Sequence, residues 1–335
     1  MTVDSAVTAI AHPNIALVKY WGKRDEEYIL PHTDSLSVTL DIYPTTTTVR
    51  LDTALDRDQV TVNSAPATGE MLTRIRTFLD LVRRMSGRAE YLRVDTTNTV
   101  PTGAGLASSA SGFAALAMAA AAAYGLDLNP TGLSRLARRG SGSACRSIFG
   151  GFALWHAGTG IGEEGDLSSY ADPIDAGALD LALVVAVVDA APKEISSRAA
   201  MRRTIETSPL YAPWAESSHQ DLADMRAAIT RGDLEAVGEI AERNALGMHA
   251  TMLAARPAVR YLSPASLRVL DCVGQLRRTG IGAFATMDAG PNVKVLCGGG
   301  HADRVADALR SLSDTRSVVT ARPGPGARLL DGAAR

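Results

Sequence analysis

Five short stretches of the chain carry the residue types that phosphoryl chemistry needs. The first is Pro101-Thr-Gly-Ala-Gly-Leu-Ala-Ser-Ser-Ala-Ser-Gly112, which follows a predicted strand at Tyr91 to Val94 and opens into an alanine-rich segment, Phe113 to Tyr124. Gly103 and Gly105 allow backbone angles closed to other residues. Ser108 or Ser109 can cap the helix, leaving first-turn amides free to face an anion. Those amides and the positive end of the helix dipole together form a phosphate cradle. No Gly-Lys-Ser/Thr follows, so this is not a Walker A loop. The same residues also suit an ordinary Gly-rich turn.

The second stretch, Asn14-Ile-Ala-Leu-Val-Lys-Tyr-Trp-Gly-Lys23, puts two lysines four residues apart around an aromatic pair. If the chain turns between them, Lys19 and Lys23 converge on one anionic ligand as point charges; otherwise they are solvated surface lysines. The third, Arg138-Arg-Gly-Ser-Gly-Ser-Ala-Cys-Arg146, offers hydroxyls and amides at Ser141 and Ser143 and a planar fork at Arg146 that matches a carboxylate or phosphate. The fourth, Thr286-Met-Asp-Ala-Gly-Pro-Asn292, presents Asp288 on a turn at the end of an apolar strand. There it either bonds its own backbone or accepts and orients a hydroxyl proton. In the fifth, Lys193-Glu-Ile-Ser-Ser-Arg-Ala-Ala-Met201, Ser196 or Ser197 caps a helix beside Arg198. His249, in Met248-His-Ala-Thr251, lies in a helical pattern without a second metal-type ligand at i+4, and reads as a packed structural residue.

Composition limits what these stretches can serve. The chain has 335 residues, 34 Lys and Arg against 36 Asp and Glu, and a formal net charge of −2. That balance argues against general nucleic-acid binding, which needs a basic footprint. Only four of the basic residues are lysines (Lys19, Lys23, Lys193 and Lys294), so a lysine is the more informative cation here. Three scattered cysteines without a CxxC pair argue against a disulfide scaffold or a zinc site. With no signal pattern and no run near the roughly 18 apolar residues that span a bilayer, the expectation is a soluble cytoplasmic protein without membrane partners.

The elements that must hold these groups follow from periodicity. Strands are expected within residues 6–19, broken at His12-Pro13-Asn14, and at Leu36 to Leu40, Gly150 to His156, Leu181 to Val188, Ala283 to Met287, Val293 to Cys297 and Val318 to Ala321. Thr45 to Leu51 and Asp58 to Val62 read as strands joined by a charged turn. Helices are expected at Met71 to Met85, Thr131 to Arg139, 198–208, 215–230, 233–253, 264–279 and Ala302 to Leu312. Residues 157–178, rich in Gly, Ser and Asp, read as the boundary between two lobes, 1–180 and 181–335. The class is α+β.

Taken together, the stretches resemble a known family. Pro101 to Ser109 is similar to the phosphate loop of the GHMP kinase superfamily. Asn14 to Lys23, Ser35-Leu-Ser-Val-Thr-Leu40, Arg139 to Arg146, Met248 to Thr251 and Asp288 to Asn292 resemble its diphosphomevalonate decarboxylase branch, in the family's order from residue 7 to about 297. The resemblance implies two α+β lobes with the active site between them. It implies conversion of (R)-5-diphosphomevalonate and ATP, with Mg²⁺, to isopentenyl diphosphate, ADP, phosphate and CO2. By the same resemblance Asp288 faces the tertiary 3-hydroxyl with Lys19 nearby, and Arg146 holds the substrate carboxylate. Tyr20, Trp21, Lys23, Ser141, Ser143, Ser197, Arg198 and Met201 bind the substrate. Asn98, Gly103, Ala104, Gly105, Leu106, Ala107, Ser108 and Ser109 bind ATP. Mg²⁺ is carried by ATP, with Ser108 a candidate contact and no dedicated protein cage, and a homodimer is the family-level expectation.

Relatives acting on the monophosphate, or phosphorylating mevalonate at O3 without decarboxylation, are the neighbouring readings; a non-catalytic metabolite-binding relative is the remote one. Lys23 and Arg198 favour the diphosphate, and Arg146 favours decarboxylation. Four departures from the family pattern stand out. His32-Thr33-Asp34 precedes Ser-Leu-Ser, so Asp34 is expected to bring negative charge near the site. Ala200 stands before Met201 where glycine is usual, Gly103 stands for alanine, and Pro257-Ala-Val-Arg-Tyr261 departs from a Pro-Pro form.

Overall fold

The computed structural model describes residues 6–100, 108–177, 179–189 and 194–330. Three larger sheets and a two-stranded ribbon hold its strands. The first sheet runs Arg328–Leu329, Val7–Ala11, Thr45–Asp52, Tyr91–Asn98, Gln59–Val62, Ala65–Pro66. Thr45–Asp52 alternates buried and more exposed positions along its length, the period-two pattern of a sheet with one face covered. The cover is the alanine helix Ser108–Ala123. Its small side chains are buried at most positions, with the apolar side chains of the sheet and of helices Gly69–Ser86 and Pro130–Gly140 around them. Asn129 caps the last of these, accepting from the Gly132 amide at 2.8 Å, with Pro130 in the first turn.

The second sheet orders Ala171–Ile174, Phe152–Trp155, Ser35–Thr39 and Asn14–Val18, all antiparallel. The third orders Ala283–Met287, Val293–Gly298, Leu181–Val187 and Ser317–Ala321, also antiparallel. Leu181–Val187 is buried at every position, as its continuous apolar run predicts. One apolar cluster joins Ile15, Leu17 and Val38 of the second sheet to Leu183, Val185 and Leu296 of the third. Leu222 and Met225 of helix Tyr211–Thr230, and Ile240 of helix Leu234–Leu253, belong to it too. The catalytic-type residues of two sequence-distant strands are thereby held in register by a shared core.

Several expectations change in detail. Gln59–Val62 does not pair with Thr45–Asp52; Tyr91–Asn98 lies between them and binds Gln59–Val62 in parallel. Buried Asp58 pins that arrangement, accepting two bonds from the Arg83 guanidinium, each at 2.7 Å, and one from the Leu92 amide. Residues 157–178 are not plain loop: they contain helix Gly162–Ser168 and strand Ala171–Ile174. Asp166 anchors this segment through ion pairs to Arg135 and Arg138, a tertiary contact that local composition does not reveal. The Ser/Gly-rich run after Arg139 leads into a 3-10 helix, Gly142–Ile148. Arg328–Leu329 pairs with Val7–Ala11, adding a C-terminal edge strand to the first sheet.

Candidate active site

A cleft of about 870 Å³ opens between the first sheet with its alanine helix and the ends of the second and third sheets. Asp288 and Lys19 meet on its floor. Asp288 follows strand Ala283–Met287 directly, and the Gly290 amide donates to its carbonyl at 2.7 Å in a tight turn. Lys19 follows strand Asn14–Val18. Its main-chain amide donates to Asn244 Oδ1 at 2.8 Å, and its Nζ donates to Ala16 O and to Asp288 Oδ1, both at 2.8 Å. The Lys294 ammonium donates to the other carboxylate oxygen, Oδ2, at 3.2 Å. Both lysine side chains are 1% exposed, whereas that of Asp288 is 29% exposed and lines the cleft. Only the carboxylate of this trio is broadly reachable.

Electrostatics follow from that geometry. Burial alone would raise the Asp288 pKa, but the charges and hydrogen bonds of Lys19 and Lys294 outweigh it and hold the carboxyl well below the usual range. Burial lowers the Lys19 pKa, against the opposing pull of Asp288. His249 is buried beside this group and bonded to the Asp288 main chain; burial pushes its pKa down to about 4, so its ring is neutral at pH 7.

Arg146 lines the cleft one step away. Its Nε donates to Ser37 Oγ at 2.9 Å, one terminal nitrogen to Ser35 Oγ at 2.7 Å, and the other to Asn14 Oδ1 at 3.2 Å. The guanidinium stands over the Trp155 ring at 5.5 Å. All three acceptors are neutral, and the residue is 2% exposed. A buried cation held, among the described residues, by neutral acceptors keeps charge available for an incoming anion.

Further along the cleft lie Tyr20, Trp21, Lys23, Ser141, Ser143, Ser197, Arg198 and Met201, the residues expected to bind substrate. Gly22, at φ +117°, turns the chain between Trp21 and Lys23; a Cβ there would stand 2.0 Å from the Tyr211 hydroxyl. That turn brings Lys19 and Lys23 into one cavity. Lys23 pairs with the exposed Glu26 at 2.5 Å. Arg198, at the start of helix Ser197–Thr207 capped by Ser196, stands 3.8 Å from Glu70. Ser109 Oγ and Ser141 Oγ lie 3.2 Å apart, linking the alanine helix to this end of the cleft.

At the nucleotide end, Asn98, Ser108 and Ser109 line the same cavity. Gly103 to Ala107 lie outside the described residues, as does Lys193. No carboxylate occupies the first turn of helix Ser108–Ala123, so its N-terminal end keeps its positive character. Sequence reasoning missed Asn63, Glu70, Arg74 and Lys294. Arg74 projects from helix Gly69–Ser86 over the Phe113 ring at 5.1 Å, with a buried Nε that has no partner among the described residues. Nothing in its local sequence distinguishes it from a surface arginine, but Lys294 was findable as one of four lysines, six residues beyond Asp288 in an apolar strand.

Asp34 departs from expectation. Its carboxylate accepts from the Ala157 amide at 2.6 Å, binding the segment after strand Phe152–Trp155, and it does not line the cleft. Ala200 is fully buried in a cluster with Trp21, Tyr211 and Trp214, where its methyl fills space a glycine would leave open.

Residues 11–171 match the family described as "Diphosphomevalonate decarboxylase-like N-terminal domain", and residues 183–322 match "Mevalonate 5-diphosphate decarboxylase C-terminal domain". The chain belongs to the diphosphomevalonate decarboxylase family. Among curated relatives, the diphosphomevalonate decarboxylases of Bos taurus and Homo sapiens are 38% and 37% identical. The matches cover 86% and 87% of this chain and 76% of each relative. Among solved structures, the mevalonate diphosphate decarboxylase of Enterococcus faecalis is 44% identical with a TM-score of 0.91, over 98% of this chain and 99% of that one. The Staphylococcus aureus enzyme is 40% identical with a TM-score of 0.93, over 98% of both chains. One similar structure is described as MDDEF in complex with MVAPP, AMPPCP and magnesium.

Proposed function

We propose that the cleft catalyses ATP-dependent decarboxylation of (R)-5-diphosphomevalonate to isopentenyl diphosphate, with ADP, phosphate and CO2 released. The observation that carries this reading is the ionised carboxylate of Asp288, reachable from a cleft that also presents Arg146 and the cations Lys23 and Arg198. ATP enters as co-substrate with its Mg²⁺. Ser108 and Glu70, which line the nucleotide end of the cleft, are the side chains placed to meet that ion.

The roles follow from reach. Asp288 accepts a hydrogen bond from the tertiary 3-hydroxyl and orients its oxygen toward the γ-phosphoryl group. Its depressed pKa makes it a weak base, so its main contribution is alignment and charge; the proton passes to Asp288 only late, as the new O–P bond forms and the bond from the γ-phosphorus to the ADP oxygen breaks. When the C3–O bond then breaks, phosphate departs and positive charge builds at C3 beside the carboxylate. The C1–C2 bond cleaves, CO2 leaves, and its electron pair becomes the C2–C3 double bond. Arg146, fixed by Ser35, Ser37 and Asn14, holds the C1 carboxylate so that this bond lies in line with the emptying orbital. Lys23, Arg198, Tyr20, Ser141, Ser143 and Ser197 take the diphosphate, with Trp21 and Met201 packing against the chain. Asn98 and the segment from Gly103 to Ser109 take ATP, and Arg74 adds a cation there.

The two-lobe division near residue 180, a homodimeric state and a cytoplasmic location belong to the same proposal. Family matches ending at 171 and resuming at 183 support the first. Among the described residues no helix is long and apolar enough to cross a membrane. The deciding experiment incubates the protein with ATP, Mg²⁺ and mevalonate, its 5-phosphate or its 5-diphosphate in turn. Equimolar CO2 and ADP from the diphosphate alone is the expected result. ADP without CO2, or preference for the monophosphate, would overturn the assignment.

A further inference from the structure

Lys294 lies on strand Val293–Gly298, opposite Thr286 on one side and Val185 on the other. Val293, Val295 and Cys297 point into the apolar cluster beneath helices Pro264–Arg278 and Ala302–Arg310, so Lys294 shares the opposite face with Leu296. Apart from Thr286 the neighbouring positions on that face, Val185 and Leu296, are apolar, and the lysine is 1% exposed. Burying an ammonium in such a place costs several kcal/mol unless it is paired and hydrogen-bonded. Structure alone would be served as well by an apolar residue of similar length. The ammonium instead meets Asp288 Oδ2, while Lys19 meets Oδ1.

Resting on the reading of Asp288 as the group facing the acceptor hydroxyl, we propose that Lys294 is a positioning residue for that carboxylate. Together with Lys19 it takes one oxygen each, fixing the carboxylate plane and leaving the remaining lone pairs of both oxygens aimed at the cleft. An ionised carboxylate offers about four acceptor sites; two are taken by ammonium groups from sequence-distant segments, which holds the carboxylate plane. Arg146 and neutral His249 are the other titratable neighbours, and neither replaces a lysine here: Arg146 is tied to Ser35, Ser37 and Asn14, and His249 meets the Asp288 main chain. A second lysine also keeps the net local charge positive, which favours the carboxylate and phosphate groups of both substrates over water in the same space.

The wild-type assay above is run first and tests the functional reading by itself. With the wild type active, Lys294→Met removes the charge at nearly constant volume, and Lys294→Gln keeps a donor without the charge. The expected result for Lys294→Met is a kcat lower by about tenfold or more, the scale of one lost charged hydrogen bond. KM for both substrates and the thermal midpoint stay near wild type, and Lys294→Gln falls between the two. Turnover of both variants within twofold of wild type would overturn the proposal. So would a loss of ATP and substrate affinity in proportion to kcat in Lys294→Gln, because that marks a general structural role.

Discussion

The floor and the mouth of the cleft hold cations in opposite ways. On the floor, Lys19, Lys294 and Arg146 are buried; Lys19 and Arg146 are each fixed by several acceptors, and the two lysines share the Asp288 carboxylate. At the mouth, Lys23 and Arg198, with side chains 6% and 40% exposed, face Glu26 and Glu70, whose side chains are 58% and 77% exposed. Exposed ion pairs contribute little to stability and are screened by salt. On the proposed function, the floor is a preorganised frame for bond making, whereas the mouth carries weak internal pairs that an incoming polyphosphate can displace. Rigidity is spent where geometry controls the barrier, and looseness is left where binding must be reversible.

Substitutions should separate the two regions. Asp288→Ala is expected to lower kcat by at least ~10³-fold while ATP affinity, read by calorimetry, changes little; equal loss of both would make the residue structural. Arg146→Gln should cost on the order of 10²-fold in kcat/KM, with CO2 release suffering more than ADP release in single-turnover assays. At the mouth, Arg198→Ala should act on affinity, raising KM for the diphosphate roughly tenfold with kcat nearly kept, as expected of one charged hydrogen bond. Glu26→Gln frees Lys23 from its internal partner, and a KM drop of about twofold at low salt that vanishes at high salt is expected.

A last expectation concerns stability and pH. His12, His32 and His249 all have pKa values lowered by burial, His249 to about 4. Below pH 6.5 an unfolded chain therefore binds more protons at these histidines than the folded protein does. Stability should thus decline as pH falls from 6.5 toward 4 and be flat above 7. Urea midpoints measured across that window check the sign; a midpoint rising on acidification would contradict it.

Much of the floor was legible in the residue order because its chemistry is local. Lys19 ends one strand, Asp288 ends another, and Arg146 closes a Ser/Gly-rich run, each with a backbone reason for its place. The partners that make these groups work were not legible. Ser35, Ser37 and Asn14 reach Arg146 from more than a hundred residues away, and Lys294 reads as one polar position in an apolar strand. The same distinction explains the fold. Leu181–Val187 announced itself by composition, whereas helix Gly162–Ser168 depends on Asp166 finding arginines about thirty residues back. Asp34 shows the reverse error: a charge judged dangerous by its neighbours in sequence is spent on the Ala157 amide.

The pairing of Ala9 with Leu329 and of Ile10 with Arg328 bears on how the protein is made. During synthesis the first sheet emerges early, but its outer edge stays uncovered until those late residues leave the ribosome. For that interval the nascent chain carries an open strand able to recruit a neighbour. Ending translation just before residue 328 would leave that edge permanently bare, with self-association as the consequence.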